Sequence, residues 1–184
     1  MSEAHAALVA HLLAHSVQTG DFTLKSGKRS PWFIDAKQTT CRAEGMLLVA
    51  DAALEVIPGD VTAIGGLTMG ADAVAFGVAA IAASRGRLLR SFSVRKEAKD
   101  HGGGGRIAGA LEPGDRVVIT EDAVTRGVSM LEAAEVVRRE GGAIPVLLLP
   151  VVDRGGTVAA MAAEHGLPLQ ALVTAPDLGF PYEG

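Results

Sequence analysis

Val117-Val118-Ile119-Thr120-Glu121-Asp122-Ala123-Val124-Thr125-Arg126-Gly127-Val128-Ser129 is the stretch on which the reading of this chain turns. Four residues rich in β-branching, bounded upstream by Gly114-Asp115, predict a buried strand over 117–120. Two carboxylates follow where that strand should end, then a loop of small and hydroxyl residues. Ser129 opens a run from Met130 to Arg139 with apolar residues at helical spacing and a basic pair in its last turn. Together these make a phosphate cradle, because free backbone N–H groups and the helix dipole point at an anion. The acids at the strand tip can hold sugar hydroxyls, or a metal through water. A bare acidic pair before a glycine loop would fit an ordinary helix-capping turn equally well; the full pattern is more specific.

Outward from this stretch the chain alternates strands and helices. Downstream, Gly141-Gly142 breaks the helix, and Ile144 to Val152 predicts a buried strand. Asp153-Arg154-Gly155-Gly156 puts an arginine at a strand tip, where α/β sheets place ligand-binding residues. A helix over 157–165 and a strand from Leu169 to Thr174 follow, and residues Ala175 to Gly184 carry no assignment. Upstream, Ala4 to Val17 predicts an amphipathic helix stopped by Thr19-Gly20. His11 and His15 stand at i, i+4, but Leu12 occupies the place of a zinc protease's glutamate, so they are expected to face solvent. From Asp21 to Asp35 two β-like runs flank a basic turn, a hairpin or small flap. Its cations beside Trp32 and Phe33 could greet an anionic, planar ligand, but taken alone the segment reads better as a solvated turn with its aromatics in the core.

Cys41 to Ile57 reads as helix, Val61 to Ile64 as strand, and 65–72 as a glycine-lined turn opening a helix to about Ser84. That turn fits neither a P-loop nor G-x-G-x-x-G. Arg87 to Val94 reads as a third strand leading into Arg95-Lys96-Glu97-Ala98-Lys99-Asp100-His101 and four glycines. Such a loop inside a compact domain is expected to be exposed, mobile and a lid over a site. Ile107 to Leu111 and a turn at 112–115 return the chain to its central strand. The alternation predicts one α/β domain over residues 1–184, an open, mostly parallel sheet with helices on both faces plus a small N-terminal flap.

Composition excludes other classes. With 48% hydrophobic residues over 184 positions the chain can bury a sizeable core. A net charge of −4 does not advertise nucleic-acid binding, and the single cysteine, Cys41, excludes an internal disulfide and a cysteine zinc site. No run approaches the ~20 apolar residues of a membrane span. The first residues lack the basic segment of a secretory signal, so a reducing cytoplasm is expected.

The central stretch resembles the phosphoribosyl-pyrophosphate signature of the type I phosphoribosyltransferases. Within them, Leu24-Lys-Ser-Gly-Lys-Arg-Ser-Pro31 and Arg95-Lys-Glu-Ala-Lys-Asp-His-Gly102 are similar to the orotate phosphoribosyltransferases. The resemblance spans residues 21 to 156 in three motifs in order. It implies a magnesium-dependent transfer of ribose 5-phosphate from phosphoribosyl pyrophosphate to orotate, in a cytoplasmic homodimer whose lid reaches across the interface. By the same resemblance Glu121 and Asp122 hold the ribose hydroxyls, and Ala123, Val124, Thr125, Arg126, Gly127, Val128 and Ser129 bind the 5′-phosphate. Arg95, Lys96, Lys99 and His101 cover the pyrophosphate and Lys25 is the flap lysine. Phe33, Ile34, Thr125 and Arg154 surround orotate, Arg154 pairing its carboxylate. Lys99, His101 and Asp122 form the implied catalytic set, and Mg2+ is held mainly by substrate, reached from Asp122 through water.

Three positions depart from the family pattern. Thr68-Met69 stands where many relatives carry an aromatic-lysine pair, Glu121 replaces a frequent Asp, and Arg126 a usual small residue. Two alternatives stay open at this point. One is transfer to a purine or uracil base, disfavoured by Arg154 and the lysine-rich flap. The other is a non-enzymatic ligand-sensing regulator on the same fold, for which no helix-turn-helix appendage is visible.

Overall fold

The computed structural model describes residues 2–23, 27, 29–98 and 105–182. Helix α1 (Glu3–His15) starts at Ser2, whose hydroxyl accepts the His5 N–H at 3.2 Å. It buries Leu8 and Leu12 one turn apart. The helix stops two residues earlier than its apolar pattern predicts. Val17 is β-branched and instead opens strand β1 (Val17–Thr23), antiparallel to β2 (Arg29–Ile34) and paired with Ile34. Along β2, Ser30, Trp32 and Ile34 are buried and Arg29, Pro31 and Phe33 exposed, the two-residue period of a half-buried strand. The expected hairpin is present.

A single helix was expected over Cys41 to Ile57. It forms as α3 (Ala43–Val56), starting two residues late, and a short helix that was not expected, α2 (Lys37–Thr40), precedes it, with Cys41 exposed in the turn between them. His11 does not face solvent. Its side chain is 9% exposed, and Nδ1 lies 3.1 Å from the Thr39 hydroxyl. Gly45 makes the room, since a Cβ there would stand 2.8 Å from the imidazole. His15, whose ring lies 4.4 Å from that of His11, is exposed as expected.

Strand β3 (Ala63–Leu67) is buried throughout and runs through Gly65 and Gly66, which were expected in a turn. The glycines serve strand packing. A Cβ on Gly65 would meet the Phe92 ring at 2.5 Å, and one on Gly66 would meet the Thr120 carbonyl and the Ala71 methyl. Helix α4 (Gly70–Ser84), β4 (Arg90–Val94), β5 (Ile107–Gly109), β6 (Arg116–Val124), α5 (Val128–Gly141), β7 (Ile144–Asp153), α6 (Val158–Glu164) and β8 (Val173–Thr174) complete the fold. The last expected strand shortens to β8, with Leu169 contributing an isolated bridge to Leu148.

The main sheet has the order β5-β4-β3-β6-β7-β8, parallel except for β5. On one face Ile64, Val118, Leu147 and Leu149 pack against α1, α3, α4 and the hairpin's Trp32 and Ile34. On the other, Phe92, Val117, Ile119 and Leu148 pack against α5 and α6. Alternate residues of β6 thus feed two cores, and each fully buried side chain of this size contributes about 1.5–3 kcal/mol. Among the described residues no helix is long and apolar enough to cross a membrane.

The sheet order creates one special place. From β3 the chain steps outward to β4, and from β6 it steps the opposite way to β7. The adjacent carboxyl ends of β3 and β6 therefore part, and a crevice opens between the segments that leave them.

Candidate active site

Glu121 and Asp122 occupy that crevice. They lie within β6, not beyond it, because pairing to β7 continues from Glu121↔Pro150 to Val124↔Asp153. Each is only 7% exposed. Both carboxyl groups converge on Gly70 at the start of α4, where a Cβ would overlap Glu121 Oε1 and stand 2.6 Å from Asp122 Oδ1. Asp122 Oδ1 accepts the Ala123 N–H at 2.9 Å, while Oδ2 accepts from the Lys37 ammonium. Burial first, then the Asp122 charge, pushes the Glu121 carboxyl up to about 8, against a smaller opposing effect of the Ser129 hydroxyl. Burial alone would lower the Lys37 ammonium; its hydrogen bond to Asp122 and that charge outweigh this and raise it. Burial and the Asp122 charge thus favour the neutral form of Glu121, beside an Asp122–Lys37 ion pair.

The loop after β6 leads straight into α5, as expected. Gly127, at φ 82°, caps α5 without any side-chain cap, so the first amides of the helix remain available to an anion. A side chain at Gly127 would be doubly resisted, by the positive φ and by Val158 Cγ2 at 2.9 Å. Thr125 and Ser129 are half-buried, Arg126 and Val128 exposed, Val124 buried.

Across β6 from the hairpin side, the Arg154 N–H donates to the Val124 carbonyl at 2.8 Å, joining the tips of β6 and β7. The buried Arg154 guanidinium lies 4.8 Å from the Trp32 ring centroid, and Trp32 stacks on Phe180 at 4.6 Å and 6°. Gly155 (φ 97°) lets the chain pass Tyr182, and its N–H donates to Asp153 Oδ1 at 2.8 Å. Burial raises the Asp153 carboxyl, the Gly155 bond opposing. Phe33 is 37% exposed beside Phe22, whereas the Ile34 side chain lies in the core, so any ligand contact it makes is through its main chain.

The expected lid begins and ends on a fixed stem. The Arg95 N–H donates to the Arg106 carbonyl and Arg106 Nε to the Arg95 carbonyl, each at 2.7 Å. Arg106 also pairs with Glu132 of α5, and its N–H donates to Glu140. Arg95 is half-buried; Lys96, Glu97 and Ala98 are exposed. Lys25, Lys99 and His101 lie outside the described residues.

Two functional neighbours escape the sequence reading. Lys37 is a lone lysine at the start of a four-residue helix, with no local pattern to mark it. Asp72 accepts from the Thr68 hydroxyl at 2.7 Å and from Ser93, fixing the turn at the tip of β3, where the Thr68–Met69 peptide is cis. No capping signal marks it, since α4 has Met69 at its N-cap position without a side-chain cap and the Thr68–Asp72 bond runs between side chains. The assembled crevice can take a sugar diol at its acids, a phosphate on the α5 terminus and a planar carboxylate at Arg154.

No protein-family profile matches the chain. It is 35% identical over 181 residues to the orotate phosphoribosyltransferase of Rhodopirellula baltica, covering 95% of this chain and 93% of that protein. It is similar to the solved structure of Mycobacterium tuberculosis H37Rv orotate phosphoribosyltransferase in complex with inorganic phosphate, with TM-score 0.84 and 30% identity over 97% of this chain and 100% of that one. The complex of that enzyme with 5-phospho-alpha-D-ribosyl 1-diphosphate gives TM-score 0.80 and 29% identity, over 96% and 99%. With this likeness over nearly its whole length, and with the acids, cradle and arginine on adjoining strand tips, the chain belongs to the orotate phosphoribosyltransferase family and has the type I phosphoribosyltransferase fold.

Proposed function

We infer that the chain transfers the ribose 5-phosphate of phosphoribosyl pyrophosphate to orotate, giving orotidine 5′-monophosphate and pyrophosphate in pyrimidine synthesis. The observation that carries this reading is the gathering of an acidic pair, an anion cradle and a ring-stacked arginine at the sheet's switch point. In the reaction the bond from ribose C1 to the diphosphate oxygen breaks and a bond from C1 to orotate N1 forms, the N1 proton leaving with the departing diphosphate. Positive charge develops at the sugar and negative charge on the leaving group.

Glu121 and Asp122 hold the ribose 2- and 3-hydroxyls, fixing the sugar so that C1 lies between leaving group and acceptor. Residues 123–129 take the 5-phosphate on backbone amides and the Thr125 and Ser129 hydroxyls. Arg154 pairs the orotate carboxylate while Phe33 and Thr125 bound the ring. Arg95, Lys96, Lys99 and His101 neutralise the pyrophosphate, with Lys25 reaching it from the flap. Lid closure excludes water that would hydrolyse the donor.

The oxygen donors of the tip suit Mg2+, a hard cation held by one or two carboxylates and substrate phosphates. The metal would be carried mainly on the donor's own oxygens and reached from Asp122 through water. When bound it supplies Lewis-acid charge to the leaving diphosphate. The working species is a cytoplasmic homodimer in which the 95–106 loop of one copy covers the pyrophosphate of the other; the family resemblance supports this.

The test follows orotate absorbance with phosphoribosyl pyrophosphate and magnesium, beside uracil, hypoxanthine and adenine, with Lys99→Ala as control. Orotate-specific turnover that collapses in the variant is the expected outcome. Turnover of another base would overturn the Arg154 assignment, and binding of donor without any turnover would favour a sensor.

A further inference from the structure

We propose that Lys37 is a positioning residue for the ribose end of the donor site, acting through Asp122. The proposal rests on the donor assignment above. Lys37 follows the hairpin directly, three residues after Ile34, and its ammonium crosses to Asp122, 85 residues away in sequence. Asp122 is therefore held from both sides, Oδ1 by the Ala123 N–H and Oδ2 by the lysine. A carboxylate with both oxygens engaged has one orientation, and a sugar hydroxyl must meet it in that orientation. The lysine side chain is 42% exposed and that of Asp122 only 10%, so the ammonium stands on the open side of the acid.

The base of this lysine is anchored in the interior. Thr39, two residues along α2, is fully buried, with its hydroxyl 2.7 Å from Ser16 Oγ and 3.1 Å from His11 Nδ1 of α1. The Asp35 N–H donates to the Ser16 carbonyl at 3.0 Å, and Asp35 Oδ1 accepts the Lys37 N–H at 3.3 Å. Both ends of the turn carrying Lys37 are thus tied to α1. The arrangement joins the N-terminal layer to the acid of the central strand, which local sequence does not show.

The experiment compares wild type, Lys37→Met, Lys37→Arg, Asp122→Asn and the Lys37→Met/Asp122→Asn double variant. Phosphoribosyl pyrophosphate with magnesium is titrated calorimetrically without orotate, and steady-state kinetics and melting temperature are measured beside it. Lys37→Met is expected to weaken donor binding and raise its KM by about tenfold, with the orotate KM unchanged and Lys37→Arg recovering most of the loss. In the Asp122→Asn background the effect of Lys37→Met should largely vanish, because both changes remove one interaction. A lowered melting temperature with unchanged donor affinity would overturn the proposal, as would losses that multiply in the double variant. If wild type binds the donor yet leaves orotate unchanged, the acceptor assignment fails and the titration still decides the role of Lys37.

Discussion

The guanidinium of Arg154 lies 4.8 Å from the centroid of the Trp32 ring, joining the tip of β7 to the second strand of the hairpin. A planar cation on an aromatic face is held in one plane while its edge donors stay directed. That is the geometry a planar ring carboxylate needs. Trp32 is also the only tryptophan of the chain.

Two measurements follow from this pair. Arg154→Gln should reduce kcat/KM for orotate by roughly 10²-fold or more, through loss of a charge-assisted pair, while donor affinity without orotate stays within about twofold. In wild type, orotate should change Trp32 emission saturably, and the change should disappear in Arg154→Gln. An emission change that survives the substitution would place the carboxylate elsewhere.

Gly70 has its place because two carboxyl groups already fill the space of a side chain. Gly70→Ala should displace Glu121 and Asp122 and leave the α4 backbone helical, since alanine is the better helix former. The expected result is a loss of about 10–10²-fold in kcat/KM with a melting temperature within a few degrees of wild type. Full activity in Gly70→Ala would show that the acids need not sit where they do.

Glu121 gives a signed pH effect. Its carboxyl is raised to about 8 from an ordinary 4.5, so the folded chain retains a proton that the unfolded chain releases across that interval. Stability must therefore fall as pH rises from about 4.5 to 8, on the order of 1.4 kcal/mol per unit of difference. Glu121→Gln removes the titration, so its melting temperature should decline less over pH 5–8 than that of wild type. Parallel declines would show that the side chain is not protonated in the free protein.

Asp115 works with the opposite sign. Burial alone would raise its carboxyl, but donors from the Thr62 hydroxyl (2.7 Å), the Glu112 N–H (2.8 Å) and Arg90 outweigh burial and hold it below the ordinary 3.8. Its contribution is complete above about pH 4–5 and is lost as pH falls through the lower folded value. Asp115→Ala should cost about 1–3 kcal/mol, read by urea melts at pH 7, and the deficit should shrink in acid. A constant deficit from pH 3 to 7 would refute the charge-based account.

The order of strands and helices was legible because periodicity reports burial, and β6 with α5 showed it most clearly. The errors have local causes. Gly65 and Gly66 carry no β signal, so a strand that needs glycines to pass Phe92 and Thr120 looked like a turn. Val17 continued a helical pattern that its pairing with Ile34 overrode. Cys41 was drawn into a helix because Met46, Val49 and Ala50 continue the pattern beyond it, and the break at 41–42 leaves no glycine or proline to mark it.

What the sequence by itself determined was the α/β class, the loop running into an uncapped helix start, the acidic pair and the arginine at a strand tip. Each lies in one continuous segment whose chemistry is local: β-branching, a glycine at positive φ, a helix start. What only the tertiary structure decided was which groups meet. Lys37 reaches Asp122, Arg154 rests on Trp32, and Gly70 yields its space to two carboxyl groups. These contacts join segments far apart in the chain. They arise because β3 and β6 lie side by side in the sheet while the segments leaving them part, and sheet order has no signature in a single strand.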